Sequence, residues 1–165
     1  MYTEDDMLLP YDGFIEFTKK MEELKESNYL PGFVRIEERD GGLHNTDNTE
    51  IHFVKKEEII EIKDRRYFII KNPYQASWIL PNDIFKKIIQ KAKLKKFLEV
   101  KKEYSWFREY TALLPNIEGK MTSIIELDEN NKIHKNCYVY HLPNNYFNNS
   151  GGFGSIPIDK LICIK

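Results

Sequence analysis

A chain of 165 residues has the size of one ordinary domain and can bury roughly two-thirds of its unfolded surface without help from disulfides or a metal. Its 41% hydrophobic residues, with ten Tyr, ten Phe and two Trp beside 31% charged residues, exclude a disordered chain and call for one packed core. The formal net charge of −1 hides an asymmetry, because residues 1–64 carry seventeen acidic and eight basic side chains and the remainder nine and seventeen, balances of −9 and +8. A chain charged in this two-sided way can present a partner-binding surface, or its halves can attract each other.

The opening Met1-Tyr2-Thr3-Glu4-Asp5-Asp6 is acidic and lacks the basic and apolar regions of an export signal, and no run approaches the roughly 18 apolar residues of a membrane span. Only Cys137 and Cys163 are present, which suits a reducing compartment and leaves room for at most one disulfide between neighbouring strands. A cytoplasmic protein is the expectation.

Phe14, Phe17, Met21 and Leu24 recur at spacings of three and four, which predicts an amphipathic helix of about fifteen residues with Asp12 as its N-cap. Leu30-Pro31-Gly32 ends it, and Phe33 to Glu37 reads as a short strand of imperfect alternation. Residues 38–50 hold nearly every turn former and one large apolar side chain, so they are expected to form a long exposed loop. Ile51–Val54, Ile59–Ile62 and Tyr67–Ile70 are rich in β-branched and aromatic residues and predict strands, the last two joined through a tip at 63–66. After Pro81, Asn82 opens a helix with Ile84, Phe85, Ile88, Ile89 and Ala92 on one arc; Lys95 and Lys96 would fall into that arc, so the helix should end or bend near Lys93. A second short helix is expected at 103–113. Residues 122–127 and 132–142 read as a β-hairpin about Asp128-Glu129-Asn130-Asn131, followed by a polar loop at 144–155 and a closing strand from Ile156 to Lys165. The sum is a single α+β domain over residues 1–165, a mostly antiparallel sheet of about 5–7 strands packed with 2–3 helices.

Four sets of residues could carry chemistry. Lys86, Lys87, Lys91, Lys93, Lys95, Lys96, Lys101 and Lys102 meet only Glu99 within their span, and Tyr104, Trp106 and Arg108 follow, a mixture of cations and aromatic faces suited to an acidic protein surface or to single-stranded nucleic acid. Glu61-Ile62-Lys63, with Asp47 or Glu50 upstream, has the acid and acid-x-lysine order with which metal-dependent nucleases hold Mg²⁺ and assist an attacking water. Such triplets are common in a chain rich in Glu and Lys, and Asp64-Arg65 turns the chain at once. His134, Cys137 and His141 are spaced like zinc ligands, yet on a strand Cys137 and His141 would stand about 13 Å apart with His134 on the other face, so no metal is assigned. Asn148 to Ser155 is glycine-rich, but the β-prone Ile156-Pro157-Ile158 replaces the helix a phosphate loop needs. No cofactor is expected.

These features favour a small non-enzymatic protein that binds and inhibits or neutralises a protein partner, of the immunity or anti-defence type, through Lys86, Lys87, Lys91, Lys93, Lys95, Lys96, Trp106 and Arg108. The competing expectation is a nucleic-acid binder or metal-dependent nuclease, with Glu61, Lys63 and Asp47 as its catalytic residues and the same lysines on phosphates.

Overall fold

The computed structural model describes residues 1–74, 77–91, 110–143, 145–146 and 154–165. The chain begins with two short strands, β1 (Tyr2–Thr3) and β2 (Met7–Leu8), and enters helix α1 (Tyr11–Glu23). Pro10 rather than Asp12 holds the N-cap position, and Asp12 lies in the first turn, where its charge suits the positive end of the helix dipole. Strands β3 (Tyr29–Pro31), β4 (Val34–Arg39), β5 (Gly42–Asn45), β6 (His52–Val54), β7 (Ile60–Ile62), β8 (Arg65–Ile69) and β9 (Ser77–Trp78) follow. Then come α2 (Asn82–Lys91), α3 (Leu114–Ile117), β10 (Thr122–Leu127), β11 (Tyr138–His141), β12 (Ile156–Pro157) and β13 (Ile162–Ile164). The expected end of α2 near Lys93 and most of the helix expected at 103–113 lie outside the described residues; 110–112 are helical.

Two sheets carry the fold. One has the order β3-β10-β8-β7 and the other β12-β5-β4-β11-β2, while β1 with β9 and β6 with β13 form two-stranded ribbons. Pairing is mostly antiparallel, with parallel pairs at β3–β10, β4–β11 and β6–β13, so the protein is an α+β fold of mixed sheets. Three expectations need correction. Residues 38–50 are not one exposed loop: Asp40 and Gly41, both at positive φ, make a tight turn that pairs Arg39 with Gly42, and Asn45, Thr46, Asp47 and Asn48 are buried. The hairpin expected over 122–142 forms only around its turn, where Leu127 bridges Ile133 and the N–H groups of Asp128 and His134 donate to the Lys132 and Glu126 carbonyls; beyond it β10 and β11 belong to different sheets. The closing strand is divided by a 3₁₀ turn at Ile158–Lys160 into β12 and β13, which join different neighbours.

Alternation along β10 explains the layering. Ile125 and Leu127 face one core, with Val34, Ile36, Phe68, Leu161 and Ile162. Ile124 faces the other way, onto Leu24 and Tyr67 near the end of α1. A third cluster joins Phe17 and Met21 of α1 to Leu30, Phe33, Trp78, Leu80, Ile88, Leu114 and Val139, with the Phe17 and Phe33 rings stacked 4.6 Å apart. Each of these large side chains contributes about 1.5–3 kcal/mol by leaving water.

Gly119 sets the approach of α2 to the end of α3. A Cβ there would lie 2.3 Å from the Pro115 carbonyl oxygen and 2.9 Å from Ile88 Cδ1. Gly119→Ala must therefore displace backbone, and a loss of about 1–3 kcal/mol is expected in denaturant titrations, with the midpoint lowered and the slope kept.

Candidate functional site

Strand β4 is buried on both sides. Val34 and Ile36 enter the apolar core, so alternation sends Arg35 and Glu37 to the opposite face. There they found a charged cluster. Arg35 bonds Asp47 through Nη2, donates from Nε to Thr46 Oγ1 at 2.9 Å, and lies 3.9 Å from Glu4 Oε2 through Nη1. Its guanidinium sits over the Tyr146 ring at 5.0 Å and the Tyr74 ring at 5.5 Å, stacking that partly offsets its lost hydration. The Tyr74 hydroxyl donates to Glu4 Oε1. Next to it, His141 Nδ1 is 2.6 Å from Glu37 Oε1 and Nε2 is 3.4 Å from Asp6 Oδ2. Glu37 also accepts from the backbone N–H groups of Asn145, at 3.0 Å, and Tyr146, at 3.2 Å.

Burial pushes the Asp47 carboxyl up to about 6; the Arg35 charge opposes this and the neighbouring Glu4 adds to it. Asp47 also borders a cavity of ≈ 340 Å³ lined by Asn48, Thr49, Glu50, His52, Lys71 and Asn72. Asn48 and Asn72 are committed within the chain, to the Asn45 side chain and the Asp47 carbonyl. Burial, with the Lys71 charge, holds His52 below the ordinary imidazole range, and its Nε2 is 3.1 Å from Asn48 Oδ1.

A second network fastens α1 to the sheet. Lys20, 2% exposed, reaches Glu126 Oε2 of β10 at 2.6 Å and donates to Cys137 Sγ at 3.5 Å. Arg65 of β8 bonds Glu126 at 2.8 Å and also Glu16 and Glu23 of α1, at 3.3 and 3.0 Å. Burial works against the Lys20 ammonium, but Cys137 and Glu126 more than offset it and its pKa is raised. Burial likewise opposes ionisation of Glu126, which Lys20 and Arg65 overcome, holding its carboxyl below the usual range. Burial pushes the Cys137 thiol up, with the Lys20 charge beside it pulling the other way. Arg65 joins the basic part of the chain to acids of the first sixty-four residues, so part of the sequence's charge asymmetry is consumed internally.

The residues singled out from sequence are scattered. Glu61 is exposed on the sheet-edge strand β7 and Lys63 sits at positive φ in the turn before β8, while Asp47 is engaged by Arg35. His134 precedes a 3₁₀ turn, Lys135–Cys137, and its Nδ1 accepts from Asn136 N, whereas Cys137 faces Lys20 and His141 faces Glu37. The segment is thus not the continuous strand expected, and its three side chains still part company. Cys137 and Cys163 are free thiols. Lys86 and Lys87 are exposed on α2, which Lys91 ends; Lys93, Lys95, Lys96, Trp106 and Arg108 lie outside the described residues, as does most of 144–155. Among the described residues no group of three His, Cys, Asp or Glu side chains is placed to hold a metal ion. No helix among them is long and apolar enough to cross a membrane.

Two outcomes follow from these networks. Glu126→Gln leaves the Lys20 charge buried with a weakened counter-ion and is expected to cost about 3–5 kcal/mol, whereas Lys20→Met, which leaves Glu126 on Arg65, should cost about 1 kcal/mol or less; urea titrations separate the two. A carboxyl raised from 3.8 to about 6 by folding binds its proton more tightly in the native state. The stability it supports is therefore present below the unfolded value and is lost as pH rises through about 6, by up to about 3 kcal/mol. Asp47→Asn is expected to abolish this slope when unfolding is measured across that window. Comparisons with protein-family models, curated proteins and solved structures give no match, so the function is read from the chain's own chemistry.

Proposed function

We propose that this is a small non-enzymatic protein that binds an acidic protein partner and inhibits or neutralises it, in the manner of an immunity or anti-defence inhibitor. One observation carries the reading: the buried cations Lys20 and Arg35 and the half-buried Arg65 are answered by acids of the same chain, whereas Lys86 and Lys87 project from α2 with no ion-pair partner among the described residues. Phe85 beside them is 36% exposed, which adds apolar area to the same helix. In sequence the positive run continues through Lys91, Lys93, Lys95 and Lys96, with Trp106 and Arg108 beyond. A surface of lysines with interspersed aromatics attracts an acidic partner at long range and gives it something to pack against at close range.

The test is capture from native lysate by the tagged full chain, with protein and nucleic acid both identified and the activity of any captured protein assayed with and without the chain. The expected outcome is one stoichiometric acidic protein, inhibited on binding and released by salt. The double reversal Lys86→Glu, Lys87→Glu should weaken the complex by about tenfold or more while leaving the unfolding midpoint in place. Capture of bulk nucleic acid without a protein would overturn the reading in favour of phosphate binding, and Mg²⁺-dependent cleavage lost in Glu61→Ala would make the chain a nuclease.

A further inference from the structure

Asp47 and His52 both border the cavity of ≈ 340 Å³, and both are buried, at 8% and 3% exposed. Arg35 occupies Asp47 Oδ1, whereas Asp47 Oδ2 takes no hydrogen bond among the described residues. His52 Nδ1 is likewise without a partner among them. Leaving a polar group of a buried side chain unpaired costs about 1–3 kcal/mol, so two beside one cavity favour a ligand that satisfies both.

The direction of the surrounding hydrogen bonds fixes what Nδ1 can offer. Asn45 Nδ2 donates to the Arg35 carbonyl at 3.2 Å, and Asn45 Oδ1 accepts from the Asn48 backbone N–H at 2.7 Å, so two main-chain groups orient the Asn45 amide. Asn48 Nδ2 must then donate to Asn45 Oδ1, at 3.1 Å, which turns Asn48 Oδ1 to His52 Nε2. Nε2 therefore carries a proton. Burial and the Lys71 charge favour the neutral imidazole, so Nδ1 presents a lone pair and, like Asp47 Oδ2, needs a donor.

A cationic donor suits these acceptors. Arg35 does not exhaust the Asp47 charge, because burial and the Glu4 carboxylate still push the carboxyl up to about 6, and a second cation would counter them. On the exposed side of the same cavity stands Lys71, which makes no ion pair among the described residues and suits an anion. The volume lies at the lower end of the roughly 300–1,000 Å³ of small-molecule pockets, so one compact molecule has to carry both charges. We propose that this cavity binds a small zwitterion, an α-amino acid, whose ammonium group donates to Asp47 Oδ2 and His52 Nδ1 and whose carboxylate pairs with Lys71. The site shares no residue with the lysine surface of α2 and stands or falls independently of it.

Titration of the full chain with the common α-amino acids, one at a time, tests this when the ¹⁵N resonances of the His52 ring are followed by NMR. At least one is expected to bind saturably, with a Kd of about 1 mM or tighter, and to move the Nδ1 resonance. Methylammonium and acetate, each with one of the two charges, should bind at least about tenfold more weakly. Lys71→Ala removes an exposed side chain, so it should leave the unfolding midpoint in place and weaken binding about tenfold. No saturable binding by any amino acid at about 50 mM, methylammonium binding as tightly as the best amino acid, or undiminished binding in Lys71→Ala would each overturn the proposal.

Discussion

Strand β4 places a guanidinium and a carboxylate inside the molecule, and the surrounding structure is arranged to satisfy them. Because Val34 and Ile36 occupy the apolar side of the strand, Arg35 and Glu37 have no solvent face to turn to. An unpaired charge there would cost several kcal/mol. The partners come from five separate stretches of chain: Glu4, Thr46 and Asp47, Tyr74, His141, and the backbone of Asn145 and Tyr146. One strand's ionic residues therefore specify where the N-terminus, the segment after β5, the end of β11 and the chain beyond it must lie. Buried ion pairs add little net stability over apolar packing, but their penalty for misplacement selects among arrangements.

The Lys20–Glu126–Arg65 network does the same for α1. Phe17 and Met21 would let the helix slide or roll on its apolar stripe, but a lysine two per cent exposed must sit against Glu126, and Arg65 then ties Glu16 and Glu23 to the same point. Helix and sheet are fixed in register by charge and held in contact by apolar area. Lys86 and Lys87, on which the proposed partner surface rests, lie outside both networks.

What the sequence made legible was local. The three- and four-residue spacing of Phe14, Phe17, Met21 and Leu24 gives α1, the arc of Ile84, Ile88 and Ile89 gives α2, and β-branched runs locate β6, β7 and β8. Turn formers misled where they marked a reversal without naming the partner. Asp40-Gly41 is a tight hairpin signal that was diluted among the polar residues after it, and Asp128 to Asn131 turns the chain out of one sheet and into another. The charged cluster was illegible for a different reason: an alternation of apolar and charged residues at 34–37 is what a half-exposed strand also shows, and only the covering of both faces distinguishes the two. Lys20 carried no local mark of burial, since its neighbour Lys19 is exposed on the same helix.

The pairing of β2 with β11 joins Leu8 to Tyr140, and that of β3 with β10 joins Tyr29 to Thr122, so the first strands made are completed by some of the last. A nascent chain can form α1, the β4–β5 turn and the Arg35–Asp47 pair early, yet Glu37 must wait in solvent until His141 has left the ribosome. Sheet closure is then a late event dominated by long-range contacts, which makes folding slow and leaves a hydrated carboxylate on β4 to keep that strand from premature pairing while it waits.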